Sequence, residues 1–149
     1  MAIVRMLYVA LRVTETARSV AFYRDMLGFE VVGEVTLRGA ETGRALGVAV
    51  EALDAVLLER DGFRMELLRT DASVEHVVPT CGLSHLALAV DDLATTLHSL
   101  RDRGVTIEAG TLTELAPGVA TCVIRDPDGF PIVLSQAPSG VASPWGEDG

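Results

Sequence analysis

The chain has no lysine and no asparagine, and only two cysteines among its 149 residues. Without lysine, Schiff-base chemistry is excluded, and any cationic contact to a substrate has to come from arginine. Twelve arginines stand against 21 acidic residues, a formal charge of -9. A chain this short of basic surface makes a poor partner for phosphate backbones or anionic membranes. Cys81 and Cys122 are too few and too far apart for a disulfide framework or a structural zinc site, and are expected as buried thiols in a reducing cytoplasm. No apolar run of about 18 residues is present, and the apolar start from Met1 is too short for a signal peptide. No Ser, Cys or Lys nucleophile signature appears, and no G-x-G-x-x-G loop follows a strand, so dinucleotide binding has no support. What remains is 49% hydrophobic and 22% charged residues. These are the values of a folded domain, expected to be soluble and cytoplasmic with neither nucleic acid nor membrane as partner.

The strongest feature present is an internal repeat. Tyr8-Val9-Ala10-Leu11-Arg12-Val13 lines up with His85-Leu86-Ala87-Leu88-Ala89-Val90 at an offset of 77, and Asp61-Gly62-Phe63-Arg64-Met65-Glu66-Leu67 with Asp128-Gly129-Phe130-Pro131-Ile132-Val133-Leu134 at an offset of 67. An extra stretch of about ten residues in the first copy, placed within 38–50, accounts for the difference. Each copy reads as βαβββ. The first gives a strand over 7–13, a helix from Thr14 or Glu15 to Met26, a strand from Phe29 to Leu37, a helical turn near 41–46, and strands 52–59 and 63–69 around the Asp61-Gly62 turn. The second gives a strand over 84–90, a helix over 92–103 closed by Gly104, and strands near 105–110, 118–125 and 130–136. Modules are thus expected at 3–70 and 82–136 of one α+β domain, with a flexible tail over 137–149.

One such module cannot bury its own sheet, so the two are expected to pair their sheets around a central cavity, with helices outside. Period 2 turns Leu7, Val9 and Leu11 toward the helix and Met6, Tyr8, Ala10 and Arg12 toward the cavity. In the second copy it turns His85, Ala87 and Ala89 inward. The hairpin strands add Arg64, Glu66 and Leu68, with Pro131, Val133 and Ser135 as counterparts.

Two βαβββ copies, a first strand reading HLALAVDDL, a last hairpin reading RDPDGFPIVLSQ and the stretch SVAFYRDMLGFEVV together resemble the vicinal oxygen chelate superfamily. That group includes glyoxalase I, bleomycin-resistance proteins, extradiol dioxygenases, fosfomycin-resistance enzymes and methylmalonyl-CoA epimerase. The resemblance implies that the first and last strand of each copy each supply one metal ligand, commonly His, Glu or Gln. Carried onto this chain, those places are Tyr8, Glu66, His85 and Val133. Only Glu66 and His85 fit. A divalent metal, held by Glu66 and His85, is therefore disfavoured by Tyr8 and Val133, since catalytic sites normally take three protein ligands and valine offers none. No cofactor is required by the sequence. The family assembles its cavity within one chain or across two, and a homodimer is the default expectation.

Glu66, His85 and Tyr8 are the catalytic candidates. An imidazole titrates near neutrality and suits proton transfer. A carboxylate in the apolar strand around Glu66 is salt-bridged to Arg12 or Arg64, has its pKa raised by burial as a base, or pairs with His85. The Tyr8 phenol is either packing or a hydrogen-bond donor to a developing enolate. Arg12, Arg64 and Arg125 are candidates to bind a ligand's carboxylate or phosphate, with Val123 and Val133 as apolar wall. Glu34 and Asp54 are either second carboxylates of the site or solvated strand edges, while His76 reads as a loop residue and His98 as helix surface. Two functions follow. One is an enzyme of isomerase, epimerase, cyclase or lyase type that moves a proton next to a carbonyl, with Tyr8 or a metal stabilising the enolate, dioxygenase chemistry being undermined by the missing ligands. The alternative is a metal-free, bleomycin-resistance-like protein that sequesters a small molecule.

Overall fold

The structure, a computed structural model, describes residues 3–47, 49–72 and 82–138. Cys81, His76 and most of the expected tail lie outside the described residues. The chain divides into two compact units, Met1–Val78 and Pro79–Gly149.

The first unit contains β1 (Val9–Arg12), α1 (Thr16–Ala21), β2 (Glu30–Arg38), α2 (Ala40–Leu46), β3 (Ala52–Arg60) and β4 (Phe63–Thr70). Its sheet runs β1-β4-β3-β2, with β1 and β4 parallel and the other pairs antiparallel. Alternation decides which side chains go under the helix. Leu58, Met65 and Leu67 are fully buried, and Leu11 of β1 and Val13 just after it are buried too. Burying each such side chain stabilises the fold by about 1.5–3 kcal/mol. α1 packs on β3 and β4 and continues as a wide π-helical turn over Phe22–Met26. This turn buries Tyr23, whose ring meets Phe22 and Phe29 edge-on at 5.1 and 5.8 Å. Gly28 ends it in the left-handed region, and Arg60 of β3 donates to the Leu27 carbonyl at 2.6 Å. A side chain at Gly28 would run into that guanidinium. The helical turn expected near 41–46 is α2, and it occupies the extra stretch that the repeat offsets require. The Asp61-Gly62 hairpin has positive φ at both residues, as a tight type I′ turn demands.

The second unit contains β5 (Leu86–Ala89), α3 (Leu93–Asp102), β6 (Thr106–Ile107), β7 (Thr113–Ala116), β8 (Val119–Arg125) and β9 (Pro131–Gln136). Its order is β5-β9-β8-β6, with β7 also on β8, and β5 parallel to β9. Asp92 caps α3 by accepting from the Thr95 N–H at 2.9 Å. Leu93, Leu97 and Leu100 of this helix are buried, as are Cys122, Ile124, Ile132 and Leu134 of the sheet.

Three expectations need correction. The first strands are shorter than 7–13 and 84–90. Met6, Leu7 and Tyr8 precede β1, and Leu7, expected under the helix, is 58% exposed. The strand expected over 105–110 stops at Ile107. A further strand, β7, lies in what was read as loop, so the second copy has one strand more than βαβββ.

The register bears out the repeat. Ala10 pairs with Glu66 in the first unit, and Ala87 pairs with Val133 in the second. These are the same two positions of the motif in each copy.

Candidate functional site

Residues opposite one another on neighbouring strands share a face. On the face of the first sheet turned away from Leu58 and Met65, Glu66 of β4 lies between Ala10 of β1 and Leu57 of β3. One step along, Arg12 and Ala55 flank Leu68, and one step back Arg64 faces Glu59. Tyr8 sits two residues before Ala10, just outside the strand and 44% exposed.

Glu66 is half-buried, and none of the described residues gives it a hydrogen bond or an ion pair. Its neighbours across the strands are a methyl and an isobutyl group, which replace water without offering a donor. Burial accordingly pushes its carboxyl above the usual glutamate range. Of the two arginines expected to neutralise it, Arg64 is taken elsewhere, donating from Nε to Glu59 at 2.6 Å. Arg12 is exposed and makes no ion pair among the described residues.

The second unit repeats the arrangement with different chemistry. Val133 takes the place of Glu66, between Ala87 and Val123. His85 takes the place of Tyr8, two residues before Ala87, and is exposed, its Nδ1 2.9 Å from the Ser84 hydroxyl. Arg125 lies opposite Pro131 on the same face as Val133, with Nε on Glu108 at 2.8 Å and Nη1 donating to the Gly129 carbonyl at 3.0 Å. That pair holds the Glu108 carboxyl below the usual glutamate range.

The partners that sequence reasoning missed are thus Glu59 and Glu108, which occupy two of the three candidate arginines. Glu59 was within reach, because the Asp61-Gly62 turn alone sets Glu59 opposite Arg64. Glu108 was not, since its reach to Arg125 depends on the register of β6 against β8, which no hairpin turn fixes. Asp54 lies on β3, an inner strand of the sheet, and is ion-paired to Arg38 at 2.9 Å with its pKa lowered by that bond. His98 pairs with Asp102 along the α3 surface at 3.2 Å. Asp126 shapes the second hairpin by accepting from the Asp128 and Phe130 N–H groups at 2.9 and 2.8 Å.

The four positions that would hold a metal offer a phenol, a carboxylate, an imidazole and an aliphatic side chain. No group of three His, Cys, Asp or Glu side chains suited to an ion occurs among the described residues. Val133 has no donor atom and Tyr8 offers a phenol, so two of the four positions that the resemblance implies lack a usual metal ligand.

The family model described as the glyoxalase/bleomycin resistance protein/dioxygenase superfamily matches residues 5–134. The chain belongs to that superfamily. Among curated relatives it is 31% identical to the lactoylglutathione lyase of Salmonella typhimurium, over 89% of this chain and 93% of that one. It is 28% identical to a probable lactoylglutathione lyase of Synechocystis, over 90% and 96%. Among solved structures, a glyoxalase family protein from Bacillus cereus superposes with a TM-score of 0.77 at 20% identity, covering 93% of this chain and 97% of that one. Glyoxalase I of Leishmania major gives 0.62 at 24% identity, covering 87% and 84%. The α+β fold of this superfamily and the expectation of an enzyme of lyase type both agree with these relatives. No helix among the described residues is long and apolar enough to cross a membrane.

Proposed function

We propose that the chain is a small-molecule lyase or isomerase in which Glu66 moves a proton at the carbon next to a carbonyl. The observation that carries this reading is Glu66 itself, a half-buried carboxylate without a partner among the described residues, its pKa raised by burial. A structural carboxylate at such a place would be paired, whereas a base benefits from a pKa moved toward neutrality. Ionised Glu66 takes the proton, and the C–H electron pair becomes an enolate whose charge sits on the carbonyl oxygen. The Tyr8 hydroxyl donates a hydrogen bond to that oxygen. Where the α-carbon carries a hydroxyl, the enediolate takes the proton back from Glu66 at the former carbonyl carbon while the hydroxyl proton passes to the other oxygen, which interchanges carbonyl and alcohol. Where the β-carbon carries a leaving group, the enolate expels it with its electron pair, forms the C=C bond, and the proton on Glu66 goes to the departing group. His85 is the second proton carrier. Arg12, the candidate arginine without an ion pair among the described residues, binds a carboxylate of the substrate. The relatives' names designate a hydroxyacyl thioester of glutathione, a molecule with both the carbonyl and the carboxylates that these residues suit.

Val133 favours a second reading, metal-free sequestration of a small molecule, because it places an apolar wall where the first unit has an acid. Metal analysis of protein purified without chelator, combined with native mass spectrometry for a retained ligand, separates the readings. The proton-transfer reading expects no stoichiometric metal and loss of turnover in Glu66→Ala and His85→Ala. One equivalent of metal that disappears in both variants contradicts the donor-set argument. Modestly weakened binding in both, without turnover of the retained ligand, establishes sequestration.

A further inference from the structure

The second unit carries a cavity on the helix side of its sheet, where Cys122 points, opposite to the face that holds Val123 and Val133. It measures about 320 Å³, and its lining includes Leu97 and Arg101 of α3, Val105, Leu112, Cys122 and, on the arch, the acid Glu108. Its origin is the interruption between β6 and β7. In the first unit the corresponding strand, β2, runs unbroken from Glu30 to Arg38. In the second, residues 108–112 arch off β8 and rejoin it at Thr113. The arch is built rather than loose. The Glu108 N–H donates to the Val123 carbonyl at 2.9 Å, and the Thr111 hydroxyl accepts from the Val123 N–H at 3.0 Å while donating to the Glu108 carbonyl at 2.8 Å. One side chain therefore takes over the ladder bond that the missing strand would make, and the arch stands open above buried Leu97 and Cys122.

We propose that this cavity is a second small-molecule site for an aliphatic monocarboxylate. Its floor is apolar and its volume is at the lower end of ligand pockets. The cation at its edge, Arg101, has no ion pair among the described residues. The acid in the lining, Glu108, is ion-paired to Arg125 at 2.8 Å rather than to Arg101. The carboxylate meets the guanidinium and the chain lies against Leu97, Val105 and Cys122. This site is independent of the reading given for Glu66.

Calorimetric titration of the full chain with octanoate, octanol and octylamine tests it, with amide chemical shifts mapping where each binds. Octanoate is expected to saturate with a dissociation constant on the order of 1 mM or tighter. Shifts should centre on 105–112 and Cys122 rather than on Ala10 and Glu66. Arg101→Gln should weaken octanoate about fivefold and leave octanol unchanged, the measure of one exposed charge contact. Leu97→Trp should abolish binding by filling the cavity, and Ala109→Phe, on the exposed arch where folding is not at risk, should do the same. No saturation, octanol or octylamine binding as tightly as octanoate, shifts on the Glu66 face, or unchanged affinity in Ala109→Phe would each overturn the proposal.

Discussion

Replacing Val133 by glutamate puts an acid at the place in the second unit that Glu66 holds in the first. Val133 is half-buried between Ala87 and Val123. Removing its side chain from that contact costs about 1 kcal/mol, half the value of a fully buried aliphatic group. A carboxylate partly desolvated there without a donor costs about 1–2 kcal/mol more. The expected loss of about 2–3 kcal/mol corresponds to a fall of roughly 5–10 °C in melting temperature for a chain of this size. The charge contribution has a sign that can be checked. Desolvation raises the introduced group's pKa in the folded state above its unfolded value. The penalty is therefore absent where the group is protonated in both states and complete above the folded pKa. Urea unfolding of Val133→Glu and Val133→Gln at pH 5 and pH 8 separates the terms. The glutamate variant should lose more stability at the higher pH, and the glutamine variant should show no such dependence. A loss below about 0.5 kcal/mol at both pH values would mean that Val133 faces open solvent, and the equivalence with Glu66 would fail.

Other consequences are simpler to measure. Asp92→Ala removes the acceptor of the Thr95 N–H and should lower stability by about 1 kcal/mol, read as a shift in urea midpoint at unchanged slope. Arg12→Gln should weaken binding of a carboxylate-bearing glutathione thioester about tenfold, whereas Arg64→Gln, whose side chain is already committed to Glu59, should change it by less than about twofold.

The strands were legible because their aliphatic residues alternate, and the hairpins because Asp-Gly pairs favour positive φ. The repeat added something that periodicity alone lacks. It set Ala10 and Glu66 against Ala87 and Val133, and the register of both sheets agrees. β7 was hidden for a physical reason. All four of its residues are exposed, so it has no apolar face to show and exists as a strand only through backbone pairing with β8. The short extent of β6 was hidden likewise, since the Thr111 hydroxyl replaces a ladder bond that composition does not announce. At the candidate site, the sequence singled out Glu66 but left its partner open between Arg12 and Arg64. Arg64 turns to Glu59, which the Asp61-Gly62 turn already sets opposite it, and Arg12 makes no ion pair among the described residues.

The account rests on Glu66 acting as a base, and the exchange of the proton next to a substrate carbonyl reads that directly. Lactoylglutathione, the compound for which the relatives are named, can be incubated with the protein in D₂O across about pH 4–9 while NMR follows its α-proton. Wild type should exchange it, with a rate that falls as pH drops through the raised pKa of Glu66, so that the acid limb lies above the ordinary glutamate range. Glu66→Gln, still folded by circular dichroism, should exchange at least about a hundredfold more slowly. Exchange by the glutamine variant at the wild-type rate would contradict the central claim, as would wild-type protein that leaves the α-proton untouched.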